Sequence, residues 1–129
     1  MDNEKLYSVG QTAKMTGVTP RTLRYYDKIG LLSPALIREN RYRFYGEREI
    51  EKLKRILLFR SFGFPLEEIG GLVDLPPESE EEILTRQLDL LQKKAGEIIR
   101  VIRLTKIELN SLRKKEQNLP TDSERKEPK

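Results

Sequence analysis

The sequence predicts a mainly α-helical chain: a small helix-turn-helix domain with a two-stranded wing, followed by one long coiled-coil helix. Three observations predict it. Two helix-start signals stand close together with a glycine between them, Ser8 with Gln11 and Thr19 with Pro20, separated at Gly17. A run alternating aromatic and basic residues comes next, Tyr42-Arg43-Phe44-Tyr45. Apolar residues then recur at heptad spacing from Leu84 to Leu112. The implied boundaries are 1–75 for the small winged helix-turn-helix domain, 76–119 for the long helix and 120–129 for a disordered tail.

The first helix opens at Ser8, whose side chain can cap the amide of Gln11 while Gln11 reaches back, a capping box. It runs to about Thr16, and Gly17 supplies the left-handed stop. The second begins almost at once, with Thr19 as cap and Pro20 at the first helical position, where a missing N–H is harmless. It runs to about Ile29, before Gly30. On a helical wheel Leu23, Tyr26 and Ile29 share the side expected to pack on the core, while Arg21, Arg24, Tyr25 and Lys28 share the other. Leu31-Leu32-Ser33-Pro34 then leaves in an extended form, since the residue before proline avoids the helical region. Glu39-Asn40-Arg41 makes the wing turn, with Asn40 able to take a left-handed conformation. Phe44 and Tyr45 should seal the core, while the exposed cations Arg38, Arg41 and Arg43 are placed to lie along a sugar-phosphate backbone.

A third helix spans about Gly46 to Phe62, with Ile50, Leu53, Ile56 and Leu57 facing inward and Glu47, Glu49 and Glu51 at its positive end. A fourth, short helix starts at Pro65 and ends near Leu72 or Val73. Its neighbouring carboxylates Glu67 and Glu68 lie in a first turn and do not converge on one point, so they support no acid-base chemistry. Pro76-Pro77 divides the chain. Ser79 and Glu82 form another capping box, and the seam begins beyond it: Leu84, Leu88, Leu91, Ala95, Ile98, Ile102, Thr105, Leu109 and Leu112, alternating in steps of four and three. That is an a/d pattern sustained over about 42 Å. Self-association is the reading it favours over folding back on the small domain.

Composition narrows the function. The chain has 129 residues, 36% charged and 36% hydrophobic, with no cysteine and no histidine. A disulfide scaffold, a thiolate metal site and a Cys or His catalytic centre are excluded. No phosphate-binding glycine loop or metal-ligand cluster is present, so no catalytic residue, metal or cofactor is expected. The longest apolar run, Ile56 to Phe59, is far too short for a membrane span, and the N-terminus lacks a secretory signal; a cytoplasmic protein is expected. Charge is uneven. Ser8 to Arg60 carries 12 Lys and Arg against 5 Asp and Glu, whereas Pro76 to Leu119 carries 9 against 8. Positive potential concentrated on the helix-turn-helix half suits an anionic partner, nucleic acid above all.

The blocks Tyr7-Ser8-Val9-Gly10, Gly17-Val18-Thr19-Pro20-Arg21-Thr22-Leu23-Arg24-Tyr25-Tyr26-Asp27-Lys28-Ile29-Gly30-Leu31-Leu32, Tyr42-Arg43-Phe44-Tyr45 and Gly63-Phe64-Pro65-Leu66-Glu67-Glu68-Ile69 together resemble the N-terminal signature of bacterial MerR-family transcription regulators. The resemblance covers about residues 6 to 73. It implies a homodimer joined by an antiparallel coiled coil, with each second helix in a major groove and each wing beside the backbone. It also implies a promoter whose −35 and −10 elements are too far apart, with a spacer that the dimer bends and untwists for RNA polymerase.

By position, the resemblance makes Arg21, Arg24, Tyr25 and Tyr26 recognition-helix contacts, Arg43 a wing contact and Arg60 a contact near the backbone. Thr22, Lys28, Arg38 and Arg41 complete the expected DNA-contacting set. Tyr26 is in tension with its inward wheel position unless its ring packs and its hydroxyl reaches out. Two residues depart from the pattern: Arg41 stands where glycine is usual after Asn40, and Gly46 where Ser or Thr usually caps. Thiolate metal sensing is excluded by composition, and these residues include no drug-sensing domain. The rival reading is a coiled-coil adaptor with only nonspecific nucleic-acid affinity.

Overall fold

The computed structural model describes residues 5–118. The expected disordered tail, 120–129, lies outside them. The chain divides into two compact units after Ser79. In the first, strand β1 (Tyr7–Ser8) runs into helix α1 (Val9–Thr16), then helix α2 (Pro20–Lys28). Strands β2 (Leu36–Ile37) and β3 (Arg43–Tyr45) come next, and then helices α3 (Glu47–Ser61) and α4 (Leu66–Leu72).

The start and stop signals act as the residue types dictate. The Gln11 amide donates to Ser8 Oγ at 3.1 Å while the Ser8 amide donates to Gln11 Oε1 at 2.8 Å. Gly17 ends α1 at φ 82°. Thr19 Oγ1 accepts from the Thr22 amide at 3.1 Å, with Pro20 at the first helical position of α2. Gly46, extended, precedes α3, and its amide donates to Glu49 Oε1 at 2.9 Å. A Cβ at Gly46 would stand 3.0 Å from that oxygen. The cap therefore comes from the carboxylate three residues on, not from a hydroxyl at position 46.

The wing differs from expectation. It is a three-stranded antiparallel sheet, with β3 in the middle and β1 as a third strand, Tyr7 opposite Tyr45 and Ser8 opposite Phe44. On its other edge Leu36 faces Phe44 and Ile37 faces Arg43. The left-handed residue of the turn is Arg41, at φ 69°, and not Asn40. Asn40 instead accepts the Tyr42 amide on its side-chain oxygen at 3.1 Å. The side-chain turn at Asn40 is followed by the positive φ at Arg41, the position where the resemblance leads one to expect glycine.

The core of this unit is Leu23, Tyr26, Tyr45, Ile50, Leu53, Ile56, Phe59 and Ile69, each at most 2% exposed. Phe64 meets Phe59 edge-on at 5.6 Å. Three expected core positions lie elsewhere, and one of them, Phe44, is only half-buried, with the Arg38 guanidinium over its ring. Ile29 is 44% exposed, because α2 stops at Lys28 and the chain turns at Gly30, φ 77°. That turn sends Leu31 and Leu32 inward instead, with the Leu31 amide donating to the Tyr26 carbonyl at 2.8 Å. On α3, Leu57 is half-buried, and Phe59 takes the deeper place.

The second unit is a single helix, α5 (Glu80–Gln117), 38 residues and so about 57 Å long. A 3-10 turn, Pro77–Ser79, precedes it. Two ion pairs four residues apart lie on its exposed surface, Arg86 with Glu82 at 2.8 Å and Lys93 with Asp89 at 3.2 Å.

Candidate nucleic-acid interface

Helix α2 is two-faced by construction. Leu23 and Tyr26 are fully buried, which fixes its rotation, and that rotation leaves Arg21, Arg24, Tyr25 and Lys28 in solvent. Tyr25 is half exposed, its ring tilted 48° to that of Tyr26 with centroids 6.5 Å apart. Thr22 is half-buried, and its hydroxyl accepts from Thr19 Oγ1 at 2.9 Å. It belongs first to the cap. A short helix with a buried back and a face of three cations and a phenol can meet phosphates and base edges in a groove.

Two side-chain links hold this face against its neighbours. Arg60, in the last turn of α3, donates from Nη1 to the Tyr26 hydroxyl at 3.2 Å. The ring of Tyr26 thus packs in the core, and its hydroxyl meets an exposed cation on the way out. The second link runs from Arg43 Nε to Asp27 Oδ2 at 3.1 Å, with both side chains partly buried, and ties β3 to α2. Arg43 is therefore not the freely solvated wing cation that the alternating pattern suggested. Its Nε is committed to Asp27, and only the outer nitrogens of its fork remain to face a ligand.

The other wing cations are open. The Arg38 guanidinium lies 5.0 Å over the Phe44 ring, a cation–π contact that orients it. Arg41 is exposed at the turn. Tyr42, 65% exposed beside them, is a surface residue that the sequence pattern did not single out. Nor did it single out Asp27, which positions Arg43, and it read Phe44, which props Arg38, as a core residue alone. The only sequence hint of the Asp27 link is a lone carboxylate in a basic helix. Near the start of the chain the Tyr7 hydroxyl donates to Glu47 Oε2 at 3.1 Å, and this hydrogen bond raises its pKa above the usual 10.0.

The seam residues from Leu88 to Leu112, Ala95 and Thr105 included, are all exposed on α5, and Leu84 is half-buried. Among the described residues no cluster of side chains is suited to a metal ion. Nor is any helix among them long and apolar enough to cross a membrane.

Comparison with known proteins agrees with this geometry. Residues 7–75 match the family model described as MerR HTH family regulatory protein. The HTH-type transcriptional activator TipA of Streptomyces coelicolor is 42% identical over 92 residues, 71% of this chain and 36% of its own length. The chain spans only about a third of the length of such curated relatives. Among solved structures, MtaN, the N-terminus of the Bacillus subtilis multidrug transporter activator, superposes with a TM-score of 0.74 at 36% identity, covering 80% of this chain and 97% of that one. EcmrR, in the cryo-EM structure of its DNA complex in EcmrR-RPo, superposes with a TM-score of 0.67 at 34% identity, covering 87% of this chain and 41% of that one. The matched family and relatives are transcriptional regulators, not enzymes. A second helix with a buried back, a three-stranded wing and these matches place the chain in one group: it belongs to the MerR family of transcriptional regulators.

Proposed function

We propose that this chain works as a homodimeric, sequence-specific DNA-binding transcription regulator. Two copies joined through α5 bind a palindromic promoter site, distort the spacer between its −35 and −10 elements, and so act on RNA polymerase there. The observation that carries the reading is the solvent face of α2. Arg21, Arg24, Tyr25 and Lys28 stand open on a helix whose other side is locked into the core. Arg60 is linked to that helix through Tyr26, and Arg43 through Asp27. The wing adds Arg38 and Arg41. Thr22 shapes the helix start. The similarity to EcmrR, whose structure is that of a DNA complex, supports the same use of the same fold.

In this reading α2 enters the major groove and Arg24, near its middle, reads a base edge. The wing and Arg60 grip phosphates on either side. Bending and untwisting a promoter spacer costs a few kcal/mol, which phosphate contacts on both flanks offset. An adaptor protein would have no use for this concentration of cations and phenols on one domain face. Selection of bound fragments from random duplex DNA tests the proposal. It predicts a palindrome whose half-sites are spaced by whole helical turns, about 34 Å each. It also predicts affinity that falls steeply with salt, by about 0.9 log units per log unit for each phosphate neutralised. Recovery of no sequence above background, or a flat salt dependence, overturns it.

A further inference from the structure

The proposed self-association through α5 leaves open which residues of the two copies meet, and any register between them rests on that association. We infer that two α5 helices pair antiparallel about a twofold axis at the level of Arg100, so that Lys94 of each copy faces Glu108 of the other. The family resemblance implies only the direction. Charges and side-chain sizes on this helix select the register.

The exposed seam has two thin places, Ala95 and Thr105, and elsewhere carries only leucine and isoleucine. These two lie at equal distances on either side of Arg100. A twofold axis there puts Ala95 against Thr105, small against small, in both halves of the coil. The same axis sets Ile98 against Ile102 at the centre, then Leu91 against Leu109 and Leu88 against Leu112 outward. These four layers are matched in size, as core packing requires, while Leu84, half-buried in the single chain, falls opposite Glu116 beyond the matched stretch. The Thr105 hydroxyl is already satisfied, donating to the Val101 carbonyl at 2.7 Å. It can enter a dry layer with its methyl group leading.

The flanks point the same way. Lys94, Val101 and Glu108 fall on one side of the seam at successive heptads. In an antiparallel pair that side meets its own copy. Val101 then meets Val101 of the second copy, and Lys94 meets Glu108 twice over. Among the described residues neither Lys94 nor Glu108 makes an ion pair within the chain, whereas Arg86 and Lys93 on the outer surface do. On the other flank Ile99 meets Ile99. The register thereby covers the two isolated apolar residues beside the seam, Ile99 and Val101, 56% and 58% exposed in the single chain. A slip of one heptad sets Lys94 against Lys115 or against Val101, and Ala95 against Leu112 or Ile98. A parallel pair sets Lys94 against Ile99 and Val101 against Lys106. Of these arrangements, the register centred at Arg100 is the one that pairs Lys94 with Glu108, covers Val101 and Ile99 with their own copies, and keeps Leu88 to Leu112 matched in size.

The chain has no cysteine of its own, so disulfide mapping is clean. Leu91→Cys and Leu109→Cys chains, co-expressed and oxidised, should form a disulfide-linked dimer, while either variant alone should not. In parallel, Lys94→Glu and Glu108→Lys should each weaken the homodimer about ten-fold, because both exposed flanking pairs turn from attraction to repulsion. Mixed together they should restore wild-type affinity as a heterodimer. Self-linked Leu91→Cys chains would show a parallel coil and overturn the inference. An intact dimer with no mixed crosslink, and no rescue on mixing the charge variants, would show another register and overturn it equally. A wild-type chain that sediments as a monomer would overturn self-association itself, separating that failure from an error of register.

Discussion

Removing one oxygen tests how the recognition helix and the third helix cooperate. Tyr26 is 1% exposed, and its hydroxyl accepts from Arg60 Nη1 at 3.2 Å. Tyr26→Phe keeps the buried ring and deletes only that acceptor. The bond is of ordinary length and its donor is exposed, so its loss should lower folding stability by no more than about 1 kcal/mol. The effect on DNA should be of the same size for a different reason. In the proposed complex, Arg60 without the hydroxyl should sample rotamers that miss the phosphate, and about 1 kcal/mol corresponds to roughly five-fold weaker binding. A double-mutant cycle separates the routes. Arg60→Met keeps the side-chain stem and removes the charge. If the hydroxyl acts only by holding Arg60, then Tyr26→Phe should have no effect on affinity once Arg60 is Met, when both are measured by fluorescence anisotropy on a selected operator at one salt concentration. Strictly additive losses would refute this and make the hydroxyl a contact in its own right.

Other expectations attach to single residues. Arg24→Ala should weaken operator binding by about 1–3 kcal/mol and relax preference at one base pair of each half-site, seen by repeating the fragment selection. Arg41→Gly relieves a left-handed arginine at φ 69° and should raise stability in a chemical melt by up to about 1 kcal/mol, while shrinking the salt slope of DNA binding by about 1 per subunit. The Tyr45 hydroxyl is buried with no hydrogen-bond partner among the described residues. Burial first, and the charge of Asp27 second, push its pKa above 10.0, against the opposing effect of Arg43. The unfolded chain therefore ionises first, so this tyrosine holds its contribution to stability below about pH 10 and loses it as pH rises further. Tyr45→Phe should flatten that alkaline loss, and at neutral pH it should be neutral or stabilising by about 1 kcal/mol. Denaturant melts at pH 7 and above pH 10 check both.

Local chemistry made the helices legible and left the cross-links hidden. Ser8 with Gln11, Thr19 with Pro20 and the left-handed glycines act within four residues of where they stand, so the sequence displays them. The burial of Leu23 and Tyr26 follows from period alone, and with it the exposed face of α2. Strand β1 was invisible for the opposite reason. It is two residues long and exists only because Tyr45 and Phe44 come back to pair with it. Ile29 joins the inward stripe only if the helix continues past Lys28, and α2 ends there. The Asp27–Arg43 link joins a helix to a strand across a turn, and no periodicity encodes such a meeting. In the same way, an alternating strand suggested three solvated arginines but did not show that one is tethered and another is propped on Phe44.

That two copies read one duplex together is tested most directly by the mass of the complex on DNA. Sedimentation equilibrium of the chain with a labelled palindromic duplex from the selection should find two copies per duplex. Ile98→Asp, which puts a charge into the seam, should abolish that stoichiometry while the small domain stays folded. One copy per duplex, or an Ile98→Asp chain that still binds as a pair, would contradict it.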